Sequence, residues 1–354
     1  MHFIMERKTV IKTGVCSFGM SGKLFQCPFI NAHPGFELSA IVERSKNDSR
    51  ELYPESKLVR SVDELIADES LQLIIINTPV QTHFDYAKKA MLAGKHVIVE
   101  KPFTVTSAQA EELVAIAKQQ NVHLFVYQNR RYDGDFRAVK AVVNDKLIGE
   151  IKEAEIRYDR FRPDISPKAH KETDLPGAGI TYDLGAHLAD QSLQLFGWPL
   201  ALFADMMAMR DGSPVDDYVE IILHYPKHRV RLKASNFVKE PVHEYIFNGS
   251  KGTFLQKRSD LQETMLLKGV KPSLGSWAPA PDSPDGYLRT TIDGKEISEE
   301  RTAAPGNYMN YFEDVYQTLV NGAPNPVPGE DGVRVIRLLE AAKQSAKEKK
   351  VITL

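Results

Sequence analysis

The chain has 354 residues, 42% hydrophobic and 26% charged, the composition of a globular protein long enough for two cores. Lys plus Arg number 45 against Asp plus Glu 47, a net charge of −2, so neither nucleic acid nor an anionic membrane is expected as a partner. Cys16 and Cys27 make neither a disulfide framework nor a zinc site, no apolar run approaches the ~20 residues of a membrane span, and residues 1–12 lack a signal-peptide apolar core, so a reducing cytoplasm is expected.

Residues 9–16 predict a first strand, followed by Ser17-Phe18-Gly19-Met20-Ser21-Gly22 and a helical apolar pattern through Leu24, Phe25, Phe29 and Ile30. The six residues fill the G-x-G-x-x-G frame of a dinucleotide loop, with serine in first place. In such a frame a tight turn and a helix N-terminus bring backbone N–H groups to a pyrophosphate. A plain glycine-rich strand–helix turn has the same look. Residues 36–42 predict a second strand, ending in Glu43-Arg44-Ser45-Lys46. Glu43 lies about twenty residues past the loop, where an acid takes the ribose hydroxyls in NAD enzymes. Arg44, Ser45 and Lys46 suit a 2′-phosphate. The sequence leans to NADP; NAD stays open, and a solvated charged loop is the plain alternative.

Residues 58–59 and 71–77 predict further strands, and Ser61 with Glu64 the capped start of a helix between them. The second strand ends at Thr78-Pro79, and His83 opens the next helix, placed either to cap it or to lean on a cofactor. Then comes Val97-Ile98-Val99-Glu100-Lys101-Pro102. Its β-branched run reads as a buried parallel strand, and Pro102 ends the ladder because it has no N–H to give. Lys101 is thus held at the carboxyl end of a strand, where ligands bind in open α/β sheets. A helix over 107–120 and a strand over 122–127 complete a doubly wound parallel sheet in a first domain, residues 1–127.

The pattern then changes. Asn129-Arg130-Arg131-Tyr132 is a cationic, aromatic cluster at a strand end, a helix follows over 133–146, and a strand over 150–161 carries Tyr158 and Arg160 near its end. Such groups can hydrogen-bond substrate hydroxyls or carboxylates, though individually each is more often a surface ion-pair residue. The run Gly177 to Asp190 has a helical register that sets Asp183 and His187 at i and i+4 on one face. A carboxylate there can fix an imidazole's tautomer and raise its basicity; two metal ligands lacking a third, or a structural pair, are the other readings. Strands over 201–209, 218–225, 229–237, 245–247 and 253–256 predict a large, mostly antiparallel sheet in a second domain, residues 128–354. Residues 268–286 read as a long loop, 308–320 and 332–349 as helices, and 351–354 as a short strand or a segment packed on the first domain.

With these residues assembled, the chain resembles the glucose-fructose oxidoreductase / inositol dehydrogenase family over essentially its full length. The carriers are the glycine loop, Thr78-Pro79 with His83, Glu100-Lys101-Pro102, and Tyr182-Asp183-Leu184-Gly185-Ala186-His187. The runs from Phe18 to Phe25, Val126 to Asp133, Tyr158 to Pro163 and Gly179 to Asp190 look most like its NADP-dependent scyllo-inositol dehydrogenase branch. Ser17 stands where the family usually has its first glycine. The resemblance implies a Rossmann domain plus an α/β domain with an open sheet, assembling through that sheet as a homodimer or homotetramer. It implies cofactor contacts from Ser17, Phe18, Gly19, Met20, Glu43, Arg44, Ser45, Lys46, Thr78, Pro79, His83, Glu100, Lys101 and Asn129. Substrate contacts would come from Lys101, Asn129, Arg131, Tyr158, Arg160, Asp183 and His187. Lys101 would polarise the reacting oxygen, His187 would take or return the hydroxyl proton, and Asp183 would orient His187.

The leading expectation is an NAD(P)-dependent dehydrogenase acting on a ring polyol or sugar, an inositol first. An aldose 1-dehydrogenase or keto-sugar reductase would use the same site. A non-catalytic nucleotide sensor is the rival from another class, and a metal-dependent hydrolase stands furthest off.

Overall fold

The computed structural model describes residues 9–165, 172–240 and 242–354, so the expectation for the first eight residues lies outside the described part. The first sheet is wholly parallel, with strands β1 (Ile11–Val15), β2 (Phe36–Val42), β3 (Lys57–Val59), β4 (Leu73–Ile76), β5 (His96–Glu100) and β6 (Leu124–Tyr127) in the order β3-β2-β1-β4-β5-β6. The order reverses between β1 and β4, and ligands bind at such a switch point, outside the strands' carboxyl ends. β4 and the Val97–Val99 core of β5 are fully buried, as their unbroken β-branched and aliphatic runs require of strands covered on both faces.

The covering helices are α1 (Cys27–Ala32), α2 (Asp48–Leu52), α3 (Val62–Ile66), α4 (His83–Leu92) and α5 (Ser107–Gln120). A π-helical turn, Gly22–Gln26, runs into α1. Ser61 caps α3 by accepting from Glu64 N, and Thr106 with Gln109 forms a full capping box on α5.

After α6 (Gly134–Asn144) the chain builds a nine-stranded sheet: β7 (Ile151–Asp159), β8 (Ala201–Met207), β9 (Tyr218–His224), β10 (Arg229–Ser235), β11 (Tyr245–Gly249), β12 (Gly252–Gln256), β13 (Gly286–Ile292), β14 (Lys295–Arg301) and β15 (Ile352–Thr353). Every neighbouring pair is antiparallel except β7 with β10. The sequence reading lacked β13 and β14; β14 lies at the sheet edge, and its exposed Lys and Glu side chains suit that edge and give no apolar stripe.

α7 (Ile180–Asp183), α8 (Gly185–Phe196), α9 (Gln262–Leu267), α10 (Met309–Asn321) and α11 (Gly329–Glu348) complete the fold. The predicted helix through Asp183 and His187 is broken at Leu184, so the pair sits on two helices rather than one face of one. α11 packs on α5 and β6 of the first sheet's domain and on β8 and α8 of the second's. The last residues pair with β8, so they extend the second sheet and do not pack on the first domain. Among the described residues no helix is long and apolar enough to cross a membrane.

Candidate active site

The loop after β1 is closed tightly. A Cβ at Gly22 would lie 2.1 Å from Ser17 O, and Asn77 Nδ2 donates to that same carbonyl at 2.8 Å. Ser17 holds a negative φ, so serine fits the first frame position without strain, and Gly19 N donates to its Oγ at 3.3 Å.

Two cavities meet at this loop, of about 580 Å³ and about 450 Å³, and share Ser17, Gly19, Met20, Thr78 and Pro79 as walls. The larger also holds Phe18, Glu43, Arg44, Ser45, Lys46 and Arg60. Arg44, Ser45 and Lys46 are exposed to it. Glu43 lies in the wall of that cavity, and its Oε2 accepts from Ser49 N at 2.9 Å and Ser49 Oγ at 2.6 Å, which ties that oxygen to α2. Arg60 and Ser49 carry no motif, and the sequence reading missed both.

The smaller cavity is lined by Thr78, Pro79, His83, Glu100, Lys101, Asn129, Arg130, Arg160, Asp183 and His187, among others. Lys101 Nζ crosses from the end of β5 to α7, donating to Asp183 O at 2.7 Å and Asp183 Oδ1 at 3.1 Å. Asp183 Oδ2 lies 3.6 Å from Arg160 Nη1. The Asp183 carboxylate is thus directed to cations, and His187 Nδ1, among the described residues, is buried without a hydrogen-bond partner.

Burial, followed by the nearby charges of Lys101 and Arg130, holds the His187 pKa well below the usual histidine range. Its ring lies 6.4 Å from that of Tyr158, centroid to centroid. Three guanidinium groups face the Tyr158 ring, those of Arg130 and Arg160 at 5.1 Å and Arg258 at 4.6 Å.

Glu100 is less a ligand than a brace. Its Oε1 accepts from Ser21 Oγ at 2.5 Å and Gln26 Nε2 at 3.0 Å, and its Oε2 from Lys101 N at 3.0 Å. It ties the turn after the glycine loop to the residue beside it, and burial raises its pKa. His83 is also a clip: Nε2 lies 2.8 Å from Thr78 O, Nδ1 3.0 Å from Pro102 O and 3.2 Å from Phe103 O. It joins the Thr78-Pro79 wall to the loop behind Lys101 rather than capping α4.

Arg131 needs correction. It donates to Asp190 Oδ2 at 2.9 Å and Oδ1 at 2.5 Å, and to Asp331 Oδ2 at 2.8 Å, so its fork is filled by carboxylates away from the cavity. Its neighbour Arg130 lines the cavity instead. Among the described residues no group of three or more His, Cys, Asp or Glu side chains could hold a metal.

A glycine loop at the switch point of a parallel sheet, with a lysine at the next strand's end, defines a dinucleotide-dependent oxidoreductase. Residues 11–128 match the family model described as "Oxidoreductase family, NAD-binding Rossmann fold", and residues 140–354 its "C-terminal alpha/beta domain" companion. The chain belongs to this glucose-fructose oxidoreductase / inositol dehydrogenase (Gfo/Idh/MocA) family and is an NAD(P)-dependent dehydrogenase. It is 37% identical to the uncharacterized oxidoreductase YdgJ of Escherichia coli (strain K12), over 97% of this chain and 99% of that one. It is 33% identical to the scyllo-inositol 2-dehydrogenase (NADP(+)) IolW of Bacillus subtilis (strain 168), over 97% and 96%. A crystal structure from Bacteroides fragilis superposes with TM-score 0.89 at 42% identity, over 98% of this chain and 100% of that one.

Proposed function

We propose that the protein is an NADP-dependent dehydrogenase moving a hydride between nicotinamide and a carbon of a ring polyol or sugar, with an inositol as the first candidate. The carrying observation is the convergence of Lys101, Asp183 and His187 in a cavity that opens onto the glycine loop. The fit to a dinucleotide rests on the close packing at Gly22 and on the shared walls that let one extended ligand cross both cavities. The hold of Ser49 on Glu43 Oε2 and the exposed Arg44, Ser45 and Lys46 support NADP. So does the NADP(+) in the name of the Bacillus relative.

When bound, the nicotinamide supplies or accepts the hydride. The chain's own part is placement and proton handling. Lys101, positioned by Asp183, donates to the reacting oxygen and stabilises charge developing there. His187, held neutral, accepts the hydroxyl proton during oxidation and returns it during reduction. Asn129, Tyr158 and Arg160 offer donors to the other hydroxyls. Domains divided near residue 127, assembly through the open face of the second sheet and a cytoplasmic setting belong to the same proposal.

The test is an absorbance assay crossing NADP and NAD with scyllo-inositol, myo-inositol and a set of aldoses. Strong NADP turnover with an inositol is expected, and aldose turnover alone would replace the substrate. Lys101→Ala should lower kcat by about 10²–10⁴-fold. Full turnover in that variant would remove the assignment, and cofactor binding with no turnover on any substrate would favour a sensor.

A further inference from the structure

The turn after β2 contains an acid and two cations, and its preference for a 2′-phosphate depends on which of them faces the cavity. Glu43 is 7% exposed, and Ser49 N and Oγ both donate to its Oε2. An acid free to enter the cavity would chelate ribose hydroxyls and repel a 2′-phosphate. Arg60, one residue beyond β3, closes the turn from the other side. Its Nη1 donates to Glu43 O at 3.0 Å and Lys46 O at 2.7 Å, and its Nη2 to Asn47 Oδ1 at 2.6 Å. Glu64 Oε2 in turn accepts from Arg60 N at 2.9 Å, fixing the residue that does the holding. One planar guanidinium thus gathers both ends of the turn, a task its fork suits and an ammonium does not.

Resting on the NADP reading above, we infer that Ser49 and Arg60 set this chain's preference for a 2′-phosphorylated cofactor without touching the phosphate. Ser49 ties one oxygen of the Glu43 carboxylate, Oε2, to the start of α2 at the cavity wall. Arg60 holds residues 43–47 in the shape that presents Arg44, Ser45 and Lys46. Both are positioning residues, and neither belongs to the glycine loop or to the lysine site.

The test is calorimetric titration of the full chain with NADP⁺ and with NAD⁺, read as the Kd for NAD⁺ divided by the Kd for NADP⁺. Wild type should favour NADP⁺; no preference there would overturn the NADP reading itself. Given that preference, Arg60→Ala and Arg60→Lys should each lower the ratio about tenfold, chiefly through NADP⁺. Ser49→Ala should lower it in the same direction as Glu43 gains freedom. A ratio preserved in Arg60→Lys would show that charge alone matters and overturn the positioning role. Equal losses for both nucleotides would reduce Arg60 to a general structural residue and overturn it too. Melting curves identify any variant that does not fold; if Arg60→Ala fails, Arg60→Lys and Ser49→Ala carry the test.

Discussion

His187 is kept neutral by its neighbours rather than by a hydrogen bond. Burial opposes its charge, and Lys101 and Arg130 oppose it further. A base with a depressed pKa stays competent as pH falls, so kcat/KM for oxidation should not show an acid limb near 6.5. A pH profile that bends at or above that value would contradict this environment. Arg131 makes the opposite point. Its charge is buried against Asp190 and Asp331, and breaking such a pair leaves an uncompensated charge inside. Asp190→Ala is expected to cost about 3–5 kcal/mol in urea unfolding. A variant as stable as wild type would refute a structural role for the pair. Two adjacent arginines read alike in sequence. Only carboxylates 59 and 200 residues further on decide that Arg131 turns inward and Arg130 faces the cavity.

At the scale of elements, the turn Gly22–Gln26 shows how tightly local geometry is set. Gly22→Ala would drive a methyl group into the Ser17 carbonyl, and the loop must shift. The expected result is at least about a tenfold rise in Kd for either nucleotide, equivalent to about 1.4 kcal/mol; unchanged binding would show that the loop yields at no cost. The parallel sheet was legible because β4 and β5 are continuous apolar runs. Lys101 was legible because a proline fixes where its strand stops. The break at Leu184 was not, since Gly185 and Ala186 continue a helical pattern. The hold on Glu43 was not legible either. The spacing that puts an acid after β2 does not say whether a serine six positions later will claim it.

For the molecule as a whole, stability carries its own pH signature at the amino end of the first sheet. His96 and His123 lie with ring centroids 5.3 Å apart, and His96 Nδ1 accepts from His123 N. Burial, then the neighbouring imidazole, lowers the His96 pKa from 6.5 to about 4. The unfolded chain therefore takes up a proton first, and the stability due to this neutral pair is complete above 6.5 and lost as pH falls towards 4. Relative to His96→Gln, wild type should lose melting temperature across that window and hold steady above pH 7. A constant difference between the two proteins would refute it.

α11 makes the two domains depend on each other. Gly332 is pressed on Phe103, a Cβ there falling 2.5 Å from the ring, and Glu340 accepts from Ser107 N at 2.9 Å and Ser107 Oγ at 2.5 Å at the start of α5. The loop that carries Lys101 is thus backed by residues made some two hundred positions later. During synthesis the six strands of the first sheet leave the ribosome long before their backing does, by roughly 10–40 s at ordinary elongation rates. In that interval Phe103 and Val126 are uncovered apolar surface. The nascent protein is then expected to meet chaperones before it can serve as a nucleotide-binding module, and its lysine to reach a fixed position only once α11 has been made.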